Sequence, residues 1–122
     1  MFDHVGVNVR DFERSRAFYR QALEPLGLQE TMAFEEWKAA AFGPEGKYEF
    51  WVAQREPCGT GTHVAFSCDD RAMVDAFHAA ALAAGGTDNG PAGIREHYHP
   101  TYYGAFVLDP DGNNIEAVCH KG

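Results

Sequence analysis

The chain has 122 residues, 45% of them hydrophobic and 23% charged, and a formal net charge of −8. That length suits one domain with a sizeable core, and the composition is globular rather than disordered. The acidic balance excludes a nucleic-acid backbone as partner, which needs clustered Lys and Arg, and no apolar run approaches the ~20 residues of a membrane helix.

The sequence opens Met1-Phe2-Asp3-His4 and enters a strand pattern at once, so no signal peptide and a cytoplasmic location are expected. Val5, Val7 and Val9 alternate with His4, Gly6 and Asn8, the period-2 signature of a strand. Asp11 stands where a helix N-cap belongs, because a short carboxylate accepts from the free N–H groups of a first turn. Phe18, Ala22 and Leu26 give that helix its apolar face, and Gly27 stops it. Strands follow at about residues 28–33, 37–42 and 48–53, the last two joined by the turn Gly43-Pro44-Glu45-Gly46. Residues 54–60 read as a linker between modules 1–53 and 61–122 of a single domain.

The same order then repeats. A constant shift of 59 matches His4 with His63, Val5 with Val64 and Asp11 with Asp70, and gives eight identities in 24 ungapped positions. Asp70 is the second N-cap, Val74, Phe77 and Ala81 form the second apolar face, and Gly85-Gly86 end that helix. Strands are expected at about 87–89, 102–108 and 114–120, the last two joined by Asp109-Pro110-Asp111-Gly112. The fold class is therefore α+β: two tandem βαβββ modules forming a curved mixed sheet around a cavity, helices outside. The second copy is eight residues longer between its histidine and its last strand, and the extra length falls in the His- and Tyr-rich stretch 91–103. A loop grown on one copy only is a candidate substrate wall.

Strand parity places His4 and His63 away from the helices, and each module's last strand adds one acid between apolar neighbours, Glu49 and Glu116. Two histidines and two glutamates at equivalent places suit a divalent metal: Zn, Ni, Co, Mn or Fe. Such an ion stabilises charge developing on a bound oxygen, and Glu49 or Glu116 is the candidate proton shuttle. Asn8, Trp51 and Ser67 share the parity of this quartet and are pocket candidates. His97, His99, Tyr102 and Tyr103 are pocket candidates from the added loop. His78 is read as lying on the solvent side of the second helix. Cys58, Cys68 and Cys119 lack metal or redox spacing and are expected to be reduced.

The chain resembles the vicinal oxygen chelate superfamily, which includes glyoxalase I, extradiol dioxygenases and bleomycin-resistance proteins. The resemblance spans nearly the whole sequence. It rests on Asp3-His4-Val5-Gly6-Val7, Arg16-Ala17-Phe18-Tyr19, Gly61-Thr62-His63-Val64-Ala65-Phe66 and, most specifically, Asp109-Pro110-Asp111-Gly112-Asn113-Asn114-Ile115-Glu116. It implies a metal held by one residue from the first and last strand of each module, which here are His4, Glu49, His63 and Glu116. That set looks most like bacterial glyoxalase I, a lyase acting on a hemithioacetal whose vicinal oxygens chelate the metal. Glyoxalase I carries an arginine soon after the first histidine that helps hold glutathione; here the position is Asn8, with Arg10 at opposite parity. Two alternatives stay open on the same scaffold. One is a non-catalytic small-molecule binder, and the other a ring-cleaving dioxygenase, which a fourth protein ligand disfavours. The resemblance also implies that the two modules of one site come from one chain or from two, and a homodimer is expected.

Overall fold

A computed structural model describes residues 1–59 and 61–122. The first module consists of β1 (Val5–Val9), α1 (Phe12–Leu23), β2 (Gln29–Phe34), β3 (Ala39–Gly43) and β4 (Phe50–Gln54). The second consists of β5 (His63–Ser67), α2 (Arg71–Ala83), β6 (Thr87–Ile94), β7 (Tyr103–Leu108) and β8 (Asn114–Cys119). Each module folds into a four-stranded mixed sheet, in the orders β1-β4-β3-β2 and β5-β8-β7-β6. The pairs β1–β4 and β5–β8 are parallel, and the other neighbours are antiparallel. The fold is thus α+β, with two repeated modules and both helices on the outside.

Local chemistry explains the element ends. The Asp11 carboxylate accepts from the Arg14 N–H at 3.1 Å, and Asp70 accepts from the Met73 N–H at 2.9 Å. The apolar faces are buried as their spacing requires: Phe18, Ala22 and Leu26 on the first helical segment, Val74, Phe77 and Ala81 on the second. Gly27 takes the left-handed conformation at φ 76°, and Gly85 does so in the second copy at φ 104°. Gly86 has a different task. A Cβ there would meet Phe18 Cε1 and the Ala81 carbonyl oxygen at 2.9 Å, so this glycine lets the two helical layers close on each other.

Two elements depart from the sequence pattern. Residues 35–37 form a 3-10 turn, which moves the start of β3 to Ala39. The strand expected to end near residue 89 runs on to Ile94, because β6 carries two register shifts, around Gly90 and Gly93. Such bulges break the alternation by which a strand is recognised. His78 also differs from its solvent-facing expectation: it is half-buried and meets Asp88 at 3.0 Å.

The Asp109–Asn113 turn joins the modules. Asp109 accepts from the backbone N–H groups of Asp111 and Asn113 (2.9 and 2.8 Å) and from the Asn113 amide (3.0 Å). Its other partner is the Tyr19 hydroxyl of α1, at 2.5 Å. Asp111 accepts from Ser15 and from the backbone and guanidinium of Arg10. Both carboxylates are buried, so these donors replace the water that each would otherwise keep. The most specific stretch of the sequence is therefore a clasp between modules.

Candidate metal centre

Strand pairing aims the quartet. Val7 and Val9 are buried under α1, so the opposite parity of β1 carries His4, Gly6 and Asn8 away from the helix. Glu49 is fixed just before β4: its carbonyl accepts from the Val5 N–H, and its own N–H donates to the Phe42 carbonyl, both at 3.0 Å. His4 and Glu49 consequently line one groove, together with Trp51. In the second module Ala65 is the register partner of Glu116, which places Glu116 on the face that His63 shares.

The hydrogen bonds settle the histidine tautomers. His63 Nδ1 lies 2.9 Å from the Asn114 carbonyl oxygen, which only accepts, so Nδ1 carries the hydrogen. By the same reasoning His4 Nδ1 donates to the Asp3 carboxylate at 2.7 Å. Each ring is left with an Nε2 lone pair, the form in which imidazole binds a metal while a second partner orients it. His63 Nε2 faces Glu116 Oε1 at 3.1 Å, lone pair against lone pair. That gap calls for a positive charge, supplied by a second ring proton or by a metal. Two donors bound at right angles to one ion, each at about 2.1 Å, stand about 3.0 Å apart, so the pair fits a cis-ligated metal.

Glu116 is 2% exposed and has its second oxygen occupied: Tyr102 donates its hydroxyl to Oε2. Burial, and then the bond to this carboxylate, push the Tyr102 phenol above its usual range and keep it a donor. Gly104 makes room, since a Cβ there would lie 3.2 Å from both Glu116 Oε2 and the Tyr102 ring.

The quartet does not converge inside one chain. Among the described residues, no set of three His, Cys, Asp or Glu side chains is placed to hold one ion. His4 with Glu49 and His63 with Glu116 are two half-sites.

The other pocket candidates divide. Trp51 lies parallel to Phe34, with centroids 6.2 Å apart, and Trp37 packs on Phe34 at 5.0 Å, giving the first half-site an aromatic shelf. Asn8 donates its amide to the Pro57 carbonyl at 2.9 Å, and Ser67 is exposed at the end of β5. His97 packs against the Tyr98 ring at 4.2 Å, and His99 bonds His120 at 2.8 Å, so the two do not project together as an extended H-x-H pair would. Tyr103 points to the helix side, where its hydroxyl donates to Asp75 at 2.6 Å. Sequence reading missed Phe34 and Trp37 because the 3-10 turn interrupts strand parity. It missed the Tyr102–Glu116 bond because the intervening loop is folded. The Cys68 thiol is pushed up to about 11, chiefly by burial and then by neighbouring Cys119, so it is not a thiolate.

Residues 1–117 match the sequence model of the Glyoxalase/Bleomycin resistance protein/Dioxygenase superfamily. The chain belongs to this superfamily. Among solved structures, a glyoxalase/bleomycin resistance protein from Albidiferax ferrireducens T118 is 33% identical over 98% of both chains, with a TM-score of 0.86. A glyoxalase/bleomycin resistance protein/dioxygenase family enzyme from Burkholderia phytofirmans PsJN is 24% identical, also over 98% of both chains, with a TM-score of 0.71. A lactoylglutathione lyase from Agrobacterium tumefaciens shares the fold at 19% identity and a TM-score of 0.70, over 98% of this chain and 92% of that one. No curated protein matches the sequence significantly. Members of the superfamily commonly bind divalent metals and small molecules. Among the described residues, no helix is long and apolar enough to cross a membrane.

Proposed function

We propose that the protein is a divalent-metal-dependent lyase or isomerase of glyoxalase type, acting on a small substrate that chelates the metal through vicinal oxygens. The observation that carries this reading is the matched tautomer of the two histidines: each Nδ1–H is committed, and each Nε2 is left free to bind. His4, Glu49, His63 and Glu116 are the proposed ligands, and Zn, Ni, Co, Mn and Fe all accept such a nitrogen and oxygen set. When bound, the ion polarises the two substrate oxygens and stabilises charge that develops as a neighbouring C–H proton leaves. A glutamate of the quartet receives that proton and returns it to the adjacent carbon, an isomerisation with no net change in atoms.

Because the half-sites stand apart within the chain, the working site takes one half from each of two copies, which makes the protein a homodimer. Complementation tests both points. The double variant His4→Ala/Glu49→Gln and the double variant His63→Ala/Glu116→Gln each lose high-affinity Co2+ binding. Refolded together, they regain one intact site per mixed dimer and about a quarter to a half of wild-type capacity. Absence of recovery, with wild type binding metal and light scattering showing a monomer, sinks the shared site; absence of metal from wild type sinks the enzyme reading. Hemithioacetals of methylglyoxal with several thiols are the substrates to assay on the metal-loaded dimer.

The aromatic shelf of Phe34, Trp37 and Trp51 favours a second reading, a non-catalytic binder of flat molecules. Ligand affinity that survives a chelator marks that case.

A further inference from the structure

The two modules carry matching glutamates, yet the structure treats them differently. Glu116 is buried in the middle of β8, between paired strands, with His63 on one oxygen and Tyr102 on the other. Glu49 is exposed before β4, and among the described residues no donor reaches its carboxylate. The difference originates in the segment present in the second copy only. Arg95 starts it: its guanidinium donates to the Gly93 and Pro91 carbonyls at 2.9 and 2.7 Å, and its N–H donates to the Tyr102 carbonyl at 2.7 Å. Within the turn, Tyr98 N–H donates to Arg95 at 3.0 Å and Tyr102 N–H to His99 at 3.1 Å. Thr101 ties the turn to the end of β8 by donating to the His120 carbonyl at 2.6 Å. The Tyr102 ring is wedged edge-on against Tyr98 and His120, with centroids at 4.8 and 5.2 Å, and its hydroxyl lands on Glu116.

We infer that Tyr102 is a positioning residue that pins Glu116 as the fixed metal ligand, so that proton transfer falls to the unrestrained Glu49. A charge-assisted O–H···O bond to a ligating carboxylate sets its rotamer before metal arrives. A carboxylate with both oxygens engaged cannot also swing to a substrate carbon. A proton carrier needs a free lone pair within reach of the proton, and Glu49 is the glutamate of the quartet that has one. The inference rests on the metal reading above, and the following experiment separates the two.

Co2+ alone is titrated into wild type, Tyr102→Phe, Thr101→Val, Glu49→Gln and Glu116→Gln dimers, following affinity and the visible absorption of the bound ion. Tyr102→Phe keeps the ring and its packing and removes one hydroxyl; its circular dichroism and melting temperature report on folding. Its expected result is Co2+ binding weakened roughly 10–100-fold, the range for loss of an outer partner, with an altered cobalt spectrum. Thr101→Val loosens the loop without removing the phenol and is expected to bind within about threefold of wild type. Glu116→Gln is expected to weaken binding more than Glu49→Gln, while Glu49→Gln abolishes turnover of the methylglyoxal hemithioacetal yet keeps bound cobalt. Wild-type affinity in Tyr102→Phe overturns the inference and leaves the metal reading standing. Equal losses in Tyr102→Phe and Thr101→Val overturn it too, since loop shape would then be the cause. Greater loss of metal in Glu49→Gln than in Glu116→Gln reverses the proposed division. Wild type without Co2+ affinity removes both readings.

Discussion

Replacing Tyr19 by Phe isolates one bond of the clasp between modules. The ring stays, so its edge-on contacts with Phe18 at 4.9 Å and Phe50 at 5.0 Å survive. What disappears is a buried hydroxyl 2.5 Å from the Asp109 carboxylate. A hydrogen bond to a charged group contributes about 1.5–3 kcal/mol. Asp109 keeps its bonds from Asp111 N, Asn113 N and Asn113 Nδ2, so it is not left uncompensated, and the loss belongs at the lower end, about 1.5–2 kcal/mol. At roughly 3–6 °C per kcal/mol for a domain of this size, the melting temperature falls by about 5–12 °C. Circular dichroism melts at neutral pH measure it. Asp109→Asn costs more, because an amide nitrogen would then face the Asn113 amide nitrogen. A drop below about 2 °C for Tyr19→Phe, or a milder effect of Asp109→Asn, refutes the reasoning.

Acid stability depends on Glu30, which Arg16 and then Arg20 hold down at about 2 by hydrogen bonds, against some desolvation. The folded-state value is depressed, so the stability it contributes is complete above pH 4.5 and is lost as the pH falls through about 2; Glu30→Gln flattens that limb of a pH-dependent urea titration. Burial, and then Asp109, raise the Tyr19 phenol well above its usual range. Its contribution is therefore present below pH ~10 and lost above it, and Tyr19→Phe is less sensitive to alkali than wild type. Gly86→Ala forces a methyl to within 2.9 Å of Phe18 and of the Ala81 carbonyl, and costs about 1–3 kcal/mol in chemical denaturation. An unchanged midpoint would show that the helical layers adjust freely.

The duplicated plan was readable because both copies keep the same local signals: an alternating strand, an aspartate cap, an apolar face and a glycine stop. The face on which His4 and His63 lie was readable for the same reason, since parity is a local property of a strand. Two kinds of feature were hidden. The 3-10 turn at residues 35–37 and the bulged β6 interrupt the periodicities that sequence reading relies on, which concealed Phe34, Trp37 and half of one strand. Tyr102 and Tyr103 are neighbours of identical chemistry, and only the folded turn from Arg95 decides which of them reaches Glu116. The Asp-Pro-Asp-Gly stretch was legible as a turn. Its partners Tyr19 and Ser15 lie 90 and 96 positions away in sequence, a separation that no periodicity reports.

That separation has a consequence for biosynthesis. The first module emerges from the ribosome complete in its strands and helix, but the acceptors for Tyr19 and Ser15 are made only when Asp109 and Asp111 are added. Until then the polar ends of α1 have only solvent or a borrowed acceptor, and the nascent half remains adhesive. An arrested chain ending before residue 109 is expected to be captured by chaperones and cut by protease more readily than one extended past residue 113.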